Sequence, residues 1–249
     1  MKRFENRTAV ITGAASGMGL LTSQKLAEEG ANVLLCDIST DRVEQAAAEI
    51  RAQGGSALGL TVDVRNYADI DKAVKLAEEK FGGVDVTVSY SGGAPARMNG
   101  IGGTPFVEMP IEVLDWGVEV NFRAPMYMAR AALPGMMARK RGVIINVGSV
   151  CGAIADPGNP DYSTEKSGVM NGLTRSIALL GAPYGVRCCA VAPGPVLTRA
   201  AMANMKTALG RAAEPIEVVK LVLYLCSDDA AFITGDCYLI DGGCSLLRG

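Results

Sequence analysis

The stretch "TAVITGAASGMGLLTSQKLAEEGANVLLCD" (residues 8–37) decides the fold. A short run of aliphatic and β-branched residues comes first, glycines follow it, and helical spacing then continues to Gly30. A second short apolar run ends at Asp37. A strand, a helix and a strand in this order are typical of parallel strands joined by a helical crossover. The stretch therefore predicts one β-α-β unit.

The same alternation continues along the chain. Short runs rich in Val, Ile and Leu predict buried strands at 8–13, 32–37, 56–64, 84–90, 142–148, 186–194 and 236–243. Longer stretches with helical spacing, each stopped by glycine, lie at 19–30, 41–55 and 68–83. Near-continuous apolar strands favour burial on both faces of the sheet. We predict an α/β fold, a Rossmann-type doubly wound parallel sheet of about seven strands with helices on both faces.

Composition limits the class of protein. The 249 residues suffice for one large domain, and no Pro/Ser-rich or charged linker divides them, so we expect a single domain over 1–249. With a formal net charge of −2 and scattered basic residues, neither nucleic acid nor a membrane is an expected partner. The N-terminus lacks the apolar core of a signal peptide, and no apolar run is long enough to span a membrane. We therefore expect a soluble, cytoplasmic protein.

The residue types present narrow the chemistry. The chain has no histidine, which excludes a Ser-His-Asp hydrolase, a His-rich zinc site and a histidine-based dehydrogenase. No metal site is predicted. The cysteines form no CxxC motif and lie mostly in apolar runs, so we expect them to be buried, reduced thiols; they are Cys36, Cys151, Cys188, Cys189, Cys226, Cys237 and Cys244.

A glycine-rich turn, "TGAASGMG" (12–19), joins the first strand to the first helix. Backbone N–H groups and the helix dipole at such a turn can bind a pyrophosphate, although an ordinary tight turn is the alternative. The second strand ends in Asp37, whose carboxylate can accept hydrogen bonds from both ribose hydroxyls and would repel a 2′-phosphate. Neither Ala14 nor Ala15 offers a compensating cation. NAD is predicted over NADP, unless Asp37 is only a turn residue.

Tyr162 and Lys166 stand four residues apart in a predicted helix, 161–182. An ammonium beside a phenol lowers the pKa of the phenol and makes it usable as a general acid, although the pair would also suit a solvated helix face. Ser149 ends the preceding strand at the edge where doubly wound sheets bind ligands. Asn121 places an amide on an otherwise apolar helix face, either to cap a kink or to link a proton relay to Lys166.

Together these motifs resemble the compact type of short-chain dehydrogenase/reductase along the whole chain. The residues that carry the resemblance are TGAASGMG (12–19), Asp37, Asp63, Val64, Asn121, Ser149, Tyr162, Lys166, "APGPVLT" (192–198) and "DGG" (241–243). The resemblance implies hydride transfer between NAD(H) and a secondary alcohol or ketone. In that family's mechanism Tyr162 is the acid or base and Ser149 orients the substrate oxygen. Lys166 tunes Tyr162 and binds the nicotinamide ribose, while Asn121 holds a relay water.

The resemblance also implies a cofactor site and an assembly. The adenine would meet Asp63 and Val64, and the carboxamide would be anchored by the backbone of Val196 and the hydroxyl of Thr198. The full implied cofactor set is Gly13, Ser16, Gly17, Met18, Gly19, Asp37, Asp63, Val64, Tyr162, Lys166, Pro193, Gly194, Val196 and Thr198. A homotetramer or homodimer, built through helices around 115–139 and 161–182, is the implied oligomer.

Two departures from the family pattern stand out. After the fourth strand the chain has Ser89-Tyr90-Ser91-Gly92 where Asn-Asn-Ala-Gly is usual, and Cys189 replaces a frequent Asn. We therefore expect the sheet edge and the loop on the nicotinamide side to be built differently. Neither change touches the Asn-Ser-Tyr-Lys set.

The substrate is predicted from the loops. Segments 93–110, 151–160 and 197–213 show no charged constellation that points to a phosphate or carboxylate. The last of these would form a short lid in which Met202, Met205 and Leu209 fall at roughly helical spacing, either facing the pocket or packing on the domain. With Cys151, Ile154 and Ala155 opposite, the pocket is predicted to be open and apolar. Bulky, weakly polar secondary alcohols or ketones are therefore favoured.

Two other functions fit the same fold. An NADP-linked 3-oxoacyl-thioester reductase is disfavoured by Asp37 and by the lack of a clear basic patch beside the active-site mouth. A nucleotide-binding regulator without turnover would be expected to have lost Tyr162 or Lys166. Both residues are present, so an NAD-dependent enzyme is predicted.

Overall fold

A parallel sheet forms the centre of the computed structural model, which describes residues 2–154 and 156–247. Within those residues the sheet has seven strands in the order β3-β2-β1-β4-β5-β6-β7, and every neighbouring pair is parallel. The strands are β1 Thr8–Thr12, β2 Asn32–Asp37, β3 Ser56–Thr61, β4 Val86–Ser89, β5 Gly142–Val147, β6 Val186–Pro193 and β7 Cys237–Ile240. The predicted fold class is confirmed.

Helices cover both faces of the sheet. They are α1 Gly17–Glu28, α2 Thr40–Ala52, α3 Tyr67–Phe81, α4 Pro95–Met98, α5 Ile111–Gly117, α6 Ala124–Arg139, α7 Pro160–Ser167, α8 Thr174–Gly181 and α9 Pro215–Cys226. Two π-helical segments, Val118–Arg123 and Gly168–Leu173, join α5 to α6 and α7 to α8. Residues 111–139 and 160–181 therefore form two long helices, each widened in the middle. Such π segments are frequent at functional sites.

The strand sequences are apolar on both sides because both sides are buried. Ile11 and Leu35 face one core with α1, α2 and α9, while Val10 and Leu34 face a second core with α3 and α6. Successive side chains of a strand point to opposite faces, so a sheet covered twice needs apolar residues at consecutive positions.

The strand order changes direction at β1. This strand pairs with β2 on one side and with β4 on the other, so its Val10 lies between Leu34 and Thr87. The chain leaves β1 toward one edge of the sheet and later returns to build the other edge. A crevice opens beyond the carboxyl ends of β1 and β4, which is where doubly wound sheets bind their ligands.

The cysteines follow the prediction in part. Cys36, Cys188, Cys189, Cys226 and Cys244 are buried thiols, whereas Cys151 and Cys237 are half-buried. Burial raises the pKa of Cys226 to about 12, which keeps that thiol protonated and unreactive. Within the described ranges, none of the helices has the length and apolar character to cross a membrane.

Candidate active site

The glycine turn after β1 is shaped by contacts that only glycine allows. Gly13 and Gly17 have φ of 67° and 54°, in the left-handed region. A Cβ on Gly13 would lie 2.9 Å from the backbone nitrogen of Ser91, and one on Gly19 would collide with the Gly13 carbonyl. The turn therefore lies directly against the end of β4, with the N-terminus of α1 behind it.

A cavity of about 400 Å³, here named the turn cavity, opens beside this turn. Seven residues of the predicted cofactor set are on its wall: Gly13, Ser16, Met18, Gly19, Asp37, Asp63 and Val64. Gly17 is in the turn but not on the wall. The carboxyl ends of β1, β2 and β3 thus bring together the residues expected to meet the adenosine half of a dinucleotide.

Asp37 is oriented by backbone groups. One carboxylate oxygen accepts a hydrogen bond from the N–H of Ala15 in the glycine turn, and the other accepts one from the N–H of Ser39, both at 3.1 Å. The carboxylate is therefore held on the cavity wall at the end of β2. A negative charge fixed there attracts hydroxyl donors and repels phosphate.

Arg65 is the one basic residue among the described wall residues of the turn cavity, and it is neutralised by Asp63. The guanidinium Nη2 lies 2.6 Å from Oδ2 of Asp63, and Nε bonds the same carboxylate. Hydrogen bonds from Arg65 lower the pKa of Asp63, so both partners stay charged. The turn cavity offers no cation that is free to receive a second phosphate.

A second cavity of about 560 Å³, the tyrosine cavity, adjoins the first. The two share Met18, Tyr90 and Gly92 as wall residues. The remaining predicted cofactor residues line the tyrosine cavity, together with Ser149: they are Tyr162, Lys166, Pro193, Gly194, Val196 and Thr198. Residues far apart in sequence therefore meet along one continuous crevice.

Tyr162, Lys166 and Ser149 converge where β5 ends. Ser149 caps the short 3-10 turn Val150–Gly152, and its Oγ accepts a hydrogen bond from the Cys151 N–H at 3.2 Å. Tyr162 and Lys166 project from one face of α7, with the Lys166 Nζ 5.8 Å from the centre of the phenol ring. The buried ammonium donates to the Val147 carbonyl at 2.9 Å.

The protonation of this group differs from the expectation. Burial raises the pKa of Tyr162 to about 12, and the Ser149 hydroxyl offsets this only in part. Burial also lowers the pKa of Lys166 to about 8. The prediction that the ammonium lowers the pKa of the phenol is wrong for this structure, because desolvation outweighs it and the ammonium donates to a backbone carbonyl instead.

Asn121 lies fully buried in the π segment Val118–Arg123. Its Oδ1 accepts from the Gly93 N–H, and its Nδ2 donates to the Gly93 carbonyl, each at 2.9 Å. The same Nδ2 also donates to Oε2 of Glu165 at 2.8 Å. The side chain therefore fastens the loop after β4 to α7, and it lies behind the tyrosine cavity rather than on its wall.

Glu165 is a residue that sequence reasoning missed. It is only 5% exposed and stands between Asn121 and Lys166. Its Oε1 has no hydrogen-bond partner among the described residues, and a Cβ on Gly117 would collide with that atom. Burial raises the pKa of Glu165 to about 7, opposed by the hydrogen bond from Asn121. In the sequence "YSTEK" (162–166) Glu165 has the character of a surface residue. Its burial becomes visible only in the structure, where the long helix 111–139 packs against it.

The two departures from the family pattern have structural counterparts. The Tyr90 hydroxyl lies 2.8 Å from the Thr22 hydroxyl, and this hydrogen bond connects the end of β4 to α1. The Tyr90 side chain also lines both cavities. The Ser91 N–H reaches Thr12 Oγ1 at 3.4 Å. Cys189 is fully buried in β6 and packs in the core. The carboxyl end of β4 is therefore held by the Tyr90 phenol and by the hydroxyls of Thr22 and Thr12.

The segment 197–213, here called the lid, is fastened at both ends. The Leu197 N–H donates to the Ala213 carbonyl and the Ala213 N–H to the Pro195 carbonyl, both at 2.9 Å. Between these ends Met202 and Met205 line the tyrosine cavity, as predicted. Leu209 does not, because the 3-10 helix ends at Asn204 and Leu209 is 71% exposed.

The opposite wall differs from the prediction as well. Cys151 lines the tyrosine cavity, whereas Ile154 faces a separate surface groove and Ala155 lies outside the described residues. Two arginines, Arg97 and Arg199, are on the wall instead. They come from separate segments of the chain, so no local charge pattern in the sequence predicts that they share a cavity.

Known proteins resemble this chain along nearly its whole length. A family model described as enoyl-(acyl carrier protein) reductase matches residues 13–245. The chain is similar to a 7alpha-hydroxysteroid dehydrogenase of Bacteroides fragilis, with 32% identity over 256 residues that cover 99% of this chain and 97% of that protein. It is 35% identical over 250 residues to a cis-4-hydroxycyclohexanecarboxylate dehydrogenase of Sinomonas cyclohexanicum, covering 96% and 97%. The crystal structure of gox2181 matches with a TM-score of 0.90 and 30% identity, covering 98% of this chain and 97% of that one.

Proposed function

The chain belongs to the short-chain dehydrogenase/reductase family, and from that premise we propose that it is an NAD-dependent dehydrogenase of secondary alcohols, or reductase of the corresponding ketones. Oxidoreduction of alcohols or ketones with a nicotinamide cofactor follows from membership of the family. Beyond family membership, we propose NAD as the cofactor, a role for each site residue and a class of substrate. The observation that carries it is the continuous crevice from Asp37 to Tyr162.

The residues present fit a dinucleotide. Gly13 and Gly19 line the turn cavity and pack so closely on backbone that neither position has room for a Cβ, and the N-terminus of α1 begins at this turn, where its first N–H groups would suit a pyrophosphate. Asp37, Asp63 and Val64 would hold the adenosine half, and Lys166 with Thr198 the nicotinamide half. When bound, the nicotinamide supplies or accepts a hydride.

Tyr162 supplies the proton that accompanies the hydride. With a pKa of about 12 the phenol carries its proton at neutral pH and can donate it to the oxygen of a ketone as that oxygen gains charge. In the direction of alcohol oxidation the phenol must first lose its proton, and the Ser149 hydroxyl, which lowers the pKa of Tyr162 in part, favours the phenolate. The Ser149 hydroxyl lies beside the phenol and orients the reacting oxygen.

NAD is proposed over NADP because of the charges around the turn cavity. The Asp37 carboxylate is fixed where a ribose diol would lie, and a 2′-phosphate there would face a like charge. The nearby Arg65 is held by Asp63 and is not free to compensate. The rival function, an NADP-linked 3-oxoacyl-thioester reductase, would need a cation for the 2′-phosphate, and the described wall of the turn cavity offers none that is free.

The substrate is proposed to be an alicyclic secondary alcohol or its ketone. Met202, Met205 and Cys151 give the tyrosine cavity soft, apolar wall groups that suit a ring. Two of the similar proteins are named for hydroxysteroid and hydroxycyclohexanecarboxylate substrates, both of which are alicyclic.

A homo-oligomer built through the long helices is also proposed. Val118, Met126, Leu179 and Leu180 expose large apolar surface on 111–139 and 160–181. A paired arrangement of these helices would cover that surface. Light scattering of the purified protein tests this, and a monomer would refute it.

The decisive experiment incubates purified protein with NAD or NADP and panels of alicyclic alcohols and polyols, and follows NADH absorbance. Turnover with NAD and an alicyclic alcohol is expected. A tenfold or larger advantage for polyols would overturn the alicyclic proposal, and better use of NADP would overturn the reading of Asp37. Tight NAD binding without turnover on any alcohol or ketone would indicate a regulator instead.

A further inference from the structure

The two arginines on the tyrosine cavity suggest a second recognition element. We infer that Arg97 and Arg199 bind a carboxylate, so that the substrate is an alicyclic alcohol or ketone that also carries a carboxylic acid group remote from its reacting carbon. This inference rests on the proposed function for the identity of the reacting end. It deepens that function by naming what holds the other end.

Arg97 and Arg199 lie close to the proposed reacting groups. Arg97 lies in the short helix α4, and Arg199 directly follows Thr198 at the start of the lid. Both line the cavity whose wall also holds Tyr162 and Ser149. The guanidinium of Arg97 packs over the Gly93 backbone, since a Cβ there would lie 2.9 Å from Nη2. Asn121 fixes that same backbone, so Arg97 stands on a rigid support.

Neither the Arg97 nor the Arg199 guanidinium has a carboxylate partner within the described chain. Seven other arginines form ion pairs with carboxylates in the described chain, whereas Arg97 and Arg199 form none there. The Arg199 guanidinium bonds only the Met202 thioether, at 3.4 Å, and the Arg97 guanidinium makes no hydrogen bond to a described residue. Two guanidiniums that share one cavity repel each other, and the pKa of Arg97 is lowered first by burial and then by Arg199. An anion placed between them would relieve this repulsion.

The other charged groups on the wall do not supply that anion. The Asp156 carboxylate already accepts hydrogen bonds from the Gly158 N–H at 3.1 Å and from Asn159 Nδ2 at 3.2 Å, and the Cys151 thiol lies 3.5 Å from it. Lys166 is turned to the Val147 carbonyl. The unmatched positive charge is therefore confined to the side of the cavity formed by Arg97 and Arg199.

A carboxylate suits this site better than a phosphate. A guanidinium presents two parallel N–H donors that match a carboxylate, and a carboxylate brings a single negative charge. A phosphate monoester would bring nearly two charges into a cavity that already holds Asp156. The same wall includes Ala96, Met202 and Met205, which favours an apolar ring in the ligand.

The test has a binding arm and a kinetic arm. In the first, calorimetry compares cyclohexanecarboxylate, its neutral carboxamide and cyclohexyl phosphate on the wild-type protein. The carboxylate should bind at least tenfold more tightly than the carboxamide, and more tightly than the phosphate. Equal binding of acid and amide overturns the inference, and tighter binding of the phosphate overturns the assignment to carboxylates.

In the kinetic arm, a ring alcohol with a carboxylate is compared with its methyl ester. Arg97→Met and Arg199→Met should each lower kcat/KM for the acid about tenfold or more, mainly through KM, and leave the ester within about twofold. Arg97→Lys should recover part of the loss, and Arg175→Met, at an exposed arginine of α8 outside both cavities, should change neither substrate. Equal losses on acid and ester would show a structural role and overturn the inference. Arginine-dependent binding of the carboxylate with no turnover of any alcohol would uphold the anion site and refute the proposed function.

Discussion

The turn cavity and the tyrosine cavity touch along Met18, Tyr90 and Gly92, yet they are built in different ways. The turn cavity is shaped by backbone: left-handed glycines, a helix N-terminus and an Asp37 carboxylate held by two N–H groups. The tyrosine cavity is shaped by side chains from α4, α7, the end of β5 and the lid. A wall made of backbone tolerates few residue types, whereas a wall made of side chains can change its chemistry with single substitutions. The first cavity therefore suits a constant ligand and the second a variable one.

The largest effect is expected at Tyr162, the proposed proton donor in the tyrosine cavity. Tyr162→Phe removes the transferable proton and keeps the ring, so kcat should fall by about 10²–10⁴-fold while NAD binding persists. Steady-state kinetics and fluorescence titration with NADH measure the two quantities. Retention of more than about a tenth of the activity would show that another group is the acid.

Lys166→Ala provides the contrast within the same cavity. Lys166 is expected to contact the nicotinamide ribose, so its loss should weaken NAD binding as well as kcat. If the Tyr162 and Lys166 variants weaken NAD binding equally, the assignment of separate roles to the two residues is wrong.

A backbone change should damage the turn cavity in a different manner. Gly13→Ala forces a residue with φ of 67° to carry a Cβ 2.9 Å from the Ser91 nitrogen. The free energy of unfolding should drop by about 3 kcal/mol and NAD binding should weaken with it. Gly210→Ala is the matched control, because Gly210 has a similar φ of 72° and open space around it, so only about 1 kcal/mol should be lost. Urea unfolding measures both, and equal losses would mean that the contact with Ser91 has no influence.

Glu165, which is buried behind the tyrosine cavity, is expected to make the free energy of unfolding depend on pH. A carboxyl whose pKa rises from 4.5 to about 7 on folding destabilises the fold as pH increases through that window, because the unfolded chain ionises first. Below the window the penalty vanishes, and above it the penalty is constant. Glu165→Gln keeps an acceptor for Asn121 and should stabilise the protein by on the order of 2 kcal/mol at pH 8, but not at pH 4.

Urea unfolding at several pH values measures this difference. Glu112→Gln, at an exposed position of α5, is the control and should show no such trend. A stability gain for Glu165→Gln that is the same at all pH values would contradict the buried, ionisable carboxyl.

The smallest effect is expected at Asp37, which we propose selects between two cofactors that differ by one phosphate. Asp37→Ala should lower the ratio of kcat/KM for NAD to that for NADP by about tenfold, or about 1.4 kcal/mol. Asp41→Ala, which removes an exposed carboxylate nearby in α2, should leave the ratio unchanged. An unchanged ratio in the Asp37 variant would move the source of cofactor choice elsewhere.

The difference between the cavities also explains which features could be predicted from sequence. The strands and the glycine turn were predictable because apolar runs and glycine positions are local properties of the chain. Tyr162 and Lys166 were found from their spacing of four residues and Ser149 from its place at a strand end, and the resemblance to the family joined the three into one set. Glu165 was missed since its burial depends on α5 and the π segment beyond it, which pack from elsewhere in the sequence.

Charge and solvation were the hardest properties to predict. Arg97 and Arg199 meet only in the folded chain, and Leu209 turns outward because a 3-10 helix replaces the expected α-helical spacing. The pKa of Tyr162 moved opposite to the expectation because sequence spacing shows that an ammonium is near but not how much water is removed.

The backbone pairing that closes the lid at Leu197 and Ala213 has a consequence for evolution. It makes the lid a loop whose two ends are already joined, so residues can be inserted or deleted inside it without pulling on β6 or α9. Doubling the length of such a loop costs only about 0.6 kcal/mol in closure entropy. Lineages of this enzyme can therefore lengthen or shorten the lid, and so reshape the wall of the tyrosine cavity, while the rest of the site stays in register.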